Sequence, residues 1–218
     1  MSNSTEWTTE DLRGYIEYIE EDLDDIGEYI MDQYNMDYSN REEHWAYFAA
    51  AVHNYLRTQV SYYDQHDGYR RPRTTWEHGG RCGDQCILAA SIFSSYGYPW
   101  RIVNVESPQY DRIHALLEVG FPEEKGLSES GVRDGLAKFY QANPVDHGRI
   151  SRNYAWKDIM FYPMDTEYSD WVGGIQNLVD SGFAEQYSDG TWGWTKHRRN
   201  LDAAFDGHRT FIGEEIYS

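Results

Sequence analysis

Gly80-Arg81-Cys82-Gly83-Asp84-Gln85-Cys86 opens a run rich in Ala, Ile and Leu that reads as a helix to Tyr96. A cysteine in the first turn of a helix faces unsatisfied backbone amides, together worth roughly half a positive charge. Such a setting lowers a thiol pKa from its ordinary value of about 8.5 and favours the nucleophilic thiolate. The same amides suit the oxyanion that forms when sulfur attacks a carbonyl. Gly80 and Gly83 are expected to leave room for a substrate. A thiol also needs a base to carry its proton and a third group to hold that base. Of eight histidines, His114 is the best placed. It alternates with Ile113, Ala115, Leu117 and Val119 in a strand-like segment, so a rigid strand would hold its imidazole. Asp165, closing the next aromatic strand, is the candidate orienting carboxylate. Asp84 is read as a helix cap that accepts backbone amide protons, and Cys86 as a small buried hydrophobe. His78, Cys82 and Cys86 recur every four residues, with His114 as a possible fourth zinc ligand. Gly79-Gly80 breaks that ladder, so no metal and no cofactor is expected.

The elements that must position these residues follow from periodicity. Leu12, Tyr15, Ile16, Ile19, Leu23, Ile26 and Ile30 form one helical stripe, with Thr8 and Asp11 as its start signal. A second helix starts near Asn40, with Glu43 three residues on. It carries Trp45, Phe48, Ala49, Val52, Tyr55 and Leu56 on one face. Asp64–Arg73 reads as a loop. Gly97 and Pro99 end the cysteine helix. Arg101–Glu106, Ile113–Val119 and Ala155–Met164 have strand character, and Gly131–Gln141 that of a short helix. Asp189-Gly190 between aromatic flanks marks a hairpin, and Trp192, Trp194 and Phe211 are expected to pack on the core. Helices first and strands afterwards point to an α+β fold in one domain with an antiparallel sheet.

These residues resemble the transglutaminase-like superfamily of papain-like cysteine enzymes. The family pattern joins a Gly-x-Cys-x-Asp helix start, a Gly-x-Pro-x-Arg turn into a strand, a His-Ala strand and an Asp-Thr strand end. This chain has Gly80-Arg-Cys82-Gly-Asp84, Gly97-Tyr-Pro99-Trp-Arg101, His114-Ala115 and Met164-Asp165-Thr166. Val52–Tyr63 resembles the helix preceding the nucleophile, and Arg73-Thr-Thr-Trp76 the entry loop. The resemblance covers residues 45–166, with 1–44 as a helical extension and 167–218 as a C-terminal extension. The spacing from His114 to Asp165 is long for the family, which implies an insertion at 121–154 and keeps Asp158 and Asp146 as alternative third members. The resemblance implies a papain-like fold and acyl transfer through a thioester, with Cys82, His114 and Asp165 as triad. Hydrolysis of a peptide or protein amide is the expected outcome. Amine cross-linking, or a non-catalytic protein-binding module on the same scaffold, are the alternatives.

Composition bounds the partners. The 218 residues carry 37 acidic and 19 basic side chains, a formal charge of −18, which repels phosphate backbones and anionic lipids. Neither nucleic acid nor a membrane is expected as a partner. Only four of the basic residues are lysine, and acidity with scarce lysine resembles proteins of extreme halophiles. Aromatic residues make up 16 % of the chain, enough to argue for packed structure over disorder. Two cysteines cannot make a disulfide framework. With no long apolar run, the expectation is a cytoplasmic protein that buries roughly 70 % of its unfolded surface. The oligomeric state has no sequence signal.

Overall fold

A computed structural model of the chain describes residues 18–19, 22–36, 41–153, 155–195 and 203–212. Helix α1 spans Asp24–Gln33 and buries Ile26 and Ile30. Helix α2 spans Arg41–Gln59 and buries Phe48, Ala49, Val52 and Leu56 completely. The start signals at Thr8, Asp11 and Asn40, and the stripe residues Leu12, Tyr15 and Ile16, lie outside the described residues. Short helix α3, Pro72–His78, occupies part of what the sequence suggests is loop. Pro72 stands at its first turn, where a missing N–H costs nothing. Helix α4, Cys82–Ser95, buries every residue from Gly83 to Phe93. It ends where Gly97 turns left-handed at φ +70°, which lets the Tyr98 N–H reach back 2.9 Å to the Phe93 carbonyl.

Strand β1, Trp100–Ser107, pairs antiparallel with β2, Arg112–Pro122. Helix α5, Glu129–Ala142, follows, and then β3, Ala155–Trp156, and β4, Ile159–Met164. The single strand expected over Ala155–Met164 is therefore a hairpin. Lys157 and Asp158 take the left-handed conformation at φ +49° and +60°, as a two-residue turn requires. Helix α6, Gln176–Asp180, leads to a separate hairpin of β5, Ala184–Gln186, and β6, Trp192–Trp194. Its turn contains Asp189-Gly190. Strands β7, Ala203–Phe205, and β8, Thr210–Ile212, return to the main sheet, whose order is β3-β4-β2-β1-β7-β8. Every pairing is antiparallel.

The sheet is covered on both faces. One face carries Trp100, Ile102, Leu117, Val119 and Phe121 and packs on the helices in the larger core. On the other, Val103, Val105 and Leu116 pack against Ile175, Leu178, Phe183 and Trp192 of the C-terminal segment. Alternation along each strand divides the residues this way. Two segments that read as additions are thus part of the packing. Helix α5, inside the expected insertion, buries Val132, Leu136, Phe139 and Tyr140 completely in the larger core. The C-terminal segment supplies the layer over the outer face. Trp192 and Phe211 are buried, while Trp194 is half-buried and meets Trp192 edge-to-face at 4.8 Å. No helix among the described residues is long and apolar enough to cross a membrane.

Candidate active site

Cys82 is the first residue of α4. The first helical bond of the turn runs from the Gln85 N–H to the Arg81 carbonyl at 2.9 Å, so the N–H groups of Cys82, Gly83 and Asp84 lie outside the ladder. Asp84 holds the turn in place. Its Oδ2 accepts the Arg81 N–H at 2.8 Å and its Oδ1 the Arg70 N–H at 2.7 Å, while His66 Nε2 lies 3.0 Å from Oδ2. Fully buried and so engaged, Asp84 is an anchor for the loop. The two glycines serve the protein's own groups, contrary to the expectation of open space for substrate. A β-carbon at Gly83 would overlap the Tyr69 ring, and one at Gly80 would overlap the Asp84 side chain.

The strand carrying His114 is open beside it. Pairing of β2 with β4 ends at Leu117–Met164, so the β4 side of residues 112–116 has no strand partner in the sheet, and His114 there is 4 % exposed. His114 Nε2 hydrogen-bonds Asp165 Oδ2. The Cys82 side chain lies within hydrogen-bonding reach of the same ring. With Nε2 engaged by Asp165, Nδ1 is the nitrogen left for sulfur, and Glu167 Oε2 lies 3.8 Å from it. Tyr168 packs edge-on at 5.0 Å and Phe183 tilted at 5.2 Å. The C-terminal layer thus confines the imidazole.

Asp165 follows the last residue of β4 and is itself fixed on three sides. Its Oδ1 accepts the N–H groups of Glu167 at 2.8 Å and Tyr168 at 2.6 Å, a local turn typical of aspartate. Its carbonyl accepts from His53 Nε2 at 2.9 Å. Oδ2 is left for His114. The alternatives lie elsewhere. Asp158 is in the β3–β4 turn, and Asp146 is exposed in the loop after α5.

Burial pushes His114 toward its neutral form, but the Asp165 carboxylate and the Cys82 sulfur outweigh it and hold the pKa well above the ordinary value. Burial pushes Asp165 up, and the His114 ring together with the two amide donors brings it below the usual carboxylate value. Desolvation holds the buried Cys86 thiol well above its ordinary pKa, with Cys82 adding to the effect. Cys86 is therefore an inert packing residue. Among the described residues no three His, Cys, Asp or Glu side chains are grouped to hold a metal, and His78 is exposed beside Glu77.

The sulfur opens on a cleft of about 230 Å³ that Arg57, Tyr62, Gln85, Thr166 and Glu167 line with Cys82. Sequence reasoning passes over most of these residues. Glu167 has a local signal, two positions past the orienting aspartate. Tyr62 has none, because it reaches the site through a bridge to Gly80. There the Gly80 N–H bonds the Ser61 carbonyl at 3.1 Å, and the Tyr63 N–H bonds the Gly80 carbonyl at 3.2 Å. His53 sits in an apolar helix face between Val52 and Leu56, where a buried imidazole requires a partner; which one is a tertiary matter. No protein family, curated protein or solved structure matches the chain.

Proposed function

We propose that the protein is a cysteine-dependent acyl-transfer enzyme of transglutaminase-like, papain-like architecture that hydrolyses a peptide or amide bond. The observation that carries this reading is the convergence on one imidazole. Cys82 and Asp165 both engage His114 from separate elements, in a site that is buried except toward the cleft. A histidine held between a carboxylate and a thiol at a helix N-terminus is an arrangement that activates sulfur.

In the reaction, the Cys82 sulfur, as thiolate, attacks the amide carbonyl carbon and forms a C–S bond. Charge moves onto the carbonyl oxygen, toward the free amides of the first turn of α4. The C–N bond breaks as protonated His114 gives its proton to the departing amine. Water then attacks the thioester carbon while His114 takes a proton from it. The C–S bond breaks, the acid leaves and the thiolate returns. Asp165 keeps the ring oriented and supports its charged state.

Alkylation by iodoacetamide as a function of pH tests the reading. Cys82 should react well below pH 8 in the folded protein, Cys86 should not, and His114→Ala should slow the reaction. Labelling of Cys82 no faster than a model thiol, and indifferent to the His114 change, would falsify the assignment.

A further inference from the structure

The lining of the cleft carries an uneven balance of charge. Two ionic side chains border it, Arg57 and Glu167. Arg57 forms an ion pair with Asp170, so its charge is already compensated. Glu167 is different. Its side chain is 41 % exposed, and its Oε2 lies 3.8 Å from His114 Nδ1. The Tyr168 side chain also neighbours it and in turn engages Arg112. No lysine or arginine among the described residues lies within ion-pair distance of it. Tyr62 lines the same cleft and is more than half exposed, at 55 %. A carboxylate and an accessible aromatic ring are the two groups that recognise an organic cation, one by charge and the other by the ring's electron-rich face. We infer that the cleft beside Cys82 takes a cationic side chain, a lysine ammonium or an arginine guanidinium, between Glu167 and Tyr62. The scissile amide is then one next to a basic residue of a peptide. This inference rests on Cys82 as the nucleophile and adds the substrate class.

The position of Glu167 decides the sign of the preference. An acidic substrate side chain would meet Glu167, and the two cations nearest it are already paired, His114 with Asp165 and Arg57 with Asp170. Juxtaposed like charges discriminate against the wrong partner as effectively as a contact favours the right one. The wider field of a chain at −18 has the same sign, so local recognition has to be separated from it. At physiological ionic strength charges beyond about 8 Å are largely screened, which leaves the charges bordering the cleft, and Glu167 is the one carboxylate among its lining residues.

The test uses three chloroacetylated amino-acid amides bearing lysine, norleucine or glutamate side chains. In each, the Cys82 sulfur forms a C–S bond to the methylene carbon and expels chloride. With the full-length protein in 0.15 M salt, the lysine probe should label Cys82 faster than the norleucine probe, and the glutamate probe slowest. The lysine-to-norleucine ratio should be about threefold, the scale of one partly exposed charge contact. Glu167→Gln should bring that ratio close to one, Tyr62→Leu should lower it partly, and Glu185→Gln on the remote β5–β6 hairpin should leave it alone. The ratio is the readout, because Glu167 also neighbours the ring of His114. Equal rates for the three probes, or a ratio unchanged by Glu167→Gln, with Cys82 still hyper-reactive toward norleucine, overturns the inference and leaves the nucleophile assignment standing. Labelling by the norleucine probe no faster than a model thiol overturns both.

Discussion

His114 and Glu118 stand four residues apart on the same face of β2, and each is buried against a partner of opposite charge. Glu118 faces its cross-strand neighbour Arg101. The Arg101 Nε bonds Glu118 Oε2 at 2.6 Å, and Asn153 Nδ2 bonds Oε1 at 2.5 Å. The guanidinium lies 4.7 Å over the Phe161 ring. Both carboxylate oxygens have donors, and both side chains are essentially inaccessible. His114 is almost as deeply buried, yet one of its partners is a sulfur that opens on a cleft. Buried charge alone therefore does not mark a functional centre. What separates the two is whether the network closes on itself, as at Glu118, or ends, as at His114, in the thiol that we propose as the nucleophile.

Breaking the closed centre should have the largest effect on folding and the least on chemistry. Glu118→Ala strands the Arg101 guanidinium without its counter-ion, which costs about 3–5 kcal/mol, measured as a lowered urea midpoint. The rate of Cys82 alkylation per folded molecule should stay within about twofold, because the two centres share no partner. A collapse of labelling in folded Glu118→Ala would show that the centres are coupled.

The open centre should respond in the opposite way. His114→Ala should slow Cys82 alkylation at pH 6.5 by about 100-fold, the scale of a lost proton-transfer partner. Retained alkylation would remove the imidazole from the chemistry.

Titration sharpens the contrast. The pKa of His114 is raised on folding, so its contribution to stability is full below the unfolded value of about 6.5. That contribution is lost as pH rises through the folded value. Asp165 is lowered, so its contribution is present above the ordinary value of 3.8 and is lost as pH falls through the folded value. The urea-midpoint difference between the wild type and Asp165→Asn should be greatest at about pH 5–6 and shrink toward both extremes. A difference that stays constant into the alkaline range would mean that the pair is not ionic.

The smallest expected effect concerns salt. Molar potassium chloride shortens the screening length to about 3 Å and relieves repulsion among exposed acidic groups, while buried pairs are screened far less. The unfolding midpoints of wild type and Glu118→Gln should therefore rise in parallel. Flat or falling midpoints would argue against the halophilic reading of the composition.

The local elements were legible because each rests on near-neighbour chemistry. Gly97 and Pro99 end α4, Asp189-Gly190 turns a hairpin, and the alternation around His114 makes a strand. Other local signals mislead. Ala155–Met164 has strand residues throughout, and nothing in Lys157-Asp158 announces the left-handed pair that folds it back. The stretch 121–154 looks like an addition when judged by spacing between motifs. Its helix α5 nevertheless completes the larger core, because Phe139 packs edge-on at 5.6 Å against Tyr47 of α2. The C-terminal segment has a hairpin signal at Asp189-Gly190 and none that ties it to the site, yet its Phe183 flanks His114.

The sequence by itself determined the polar start of an apolar helix at Cys82, the strand that carries His114 and the aspartate that ends β4. These follow from periodicity and capping, which act over a few residues. Only the tertiary structure decided that β4 stops pairing before it reaches His114, so that the thiol helix and the Asp165 turn meet at that ring. It also decided that Glu167 and Tyr62, more than a hundred residues apart, line one cleft. Strand pairing and side-chain burial minimise free energy across the whole chain, and no local window contains the partners.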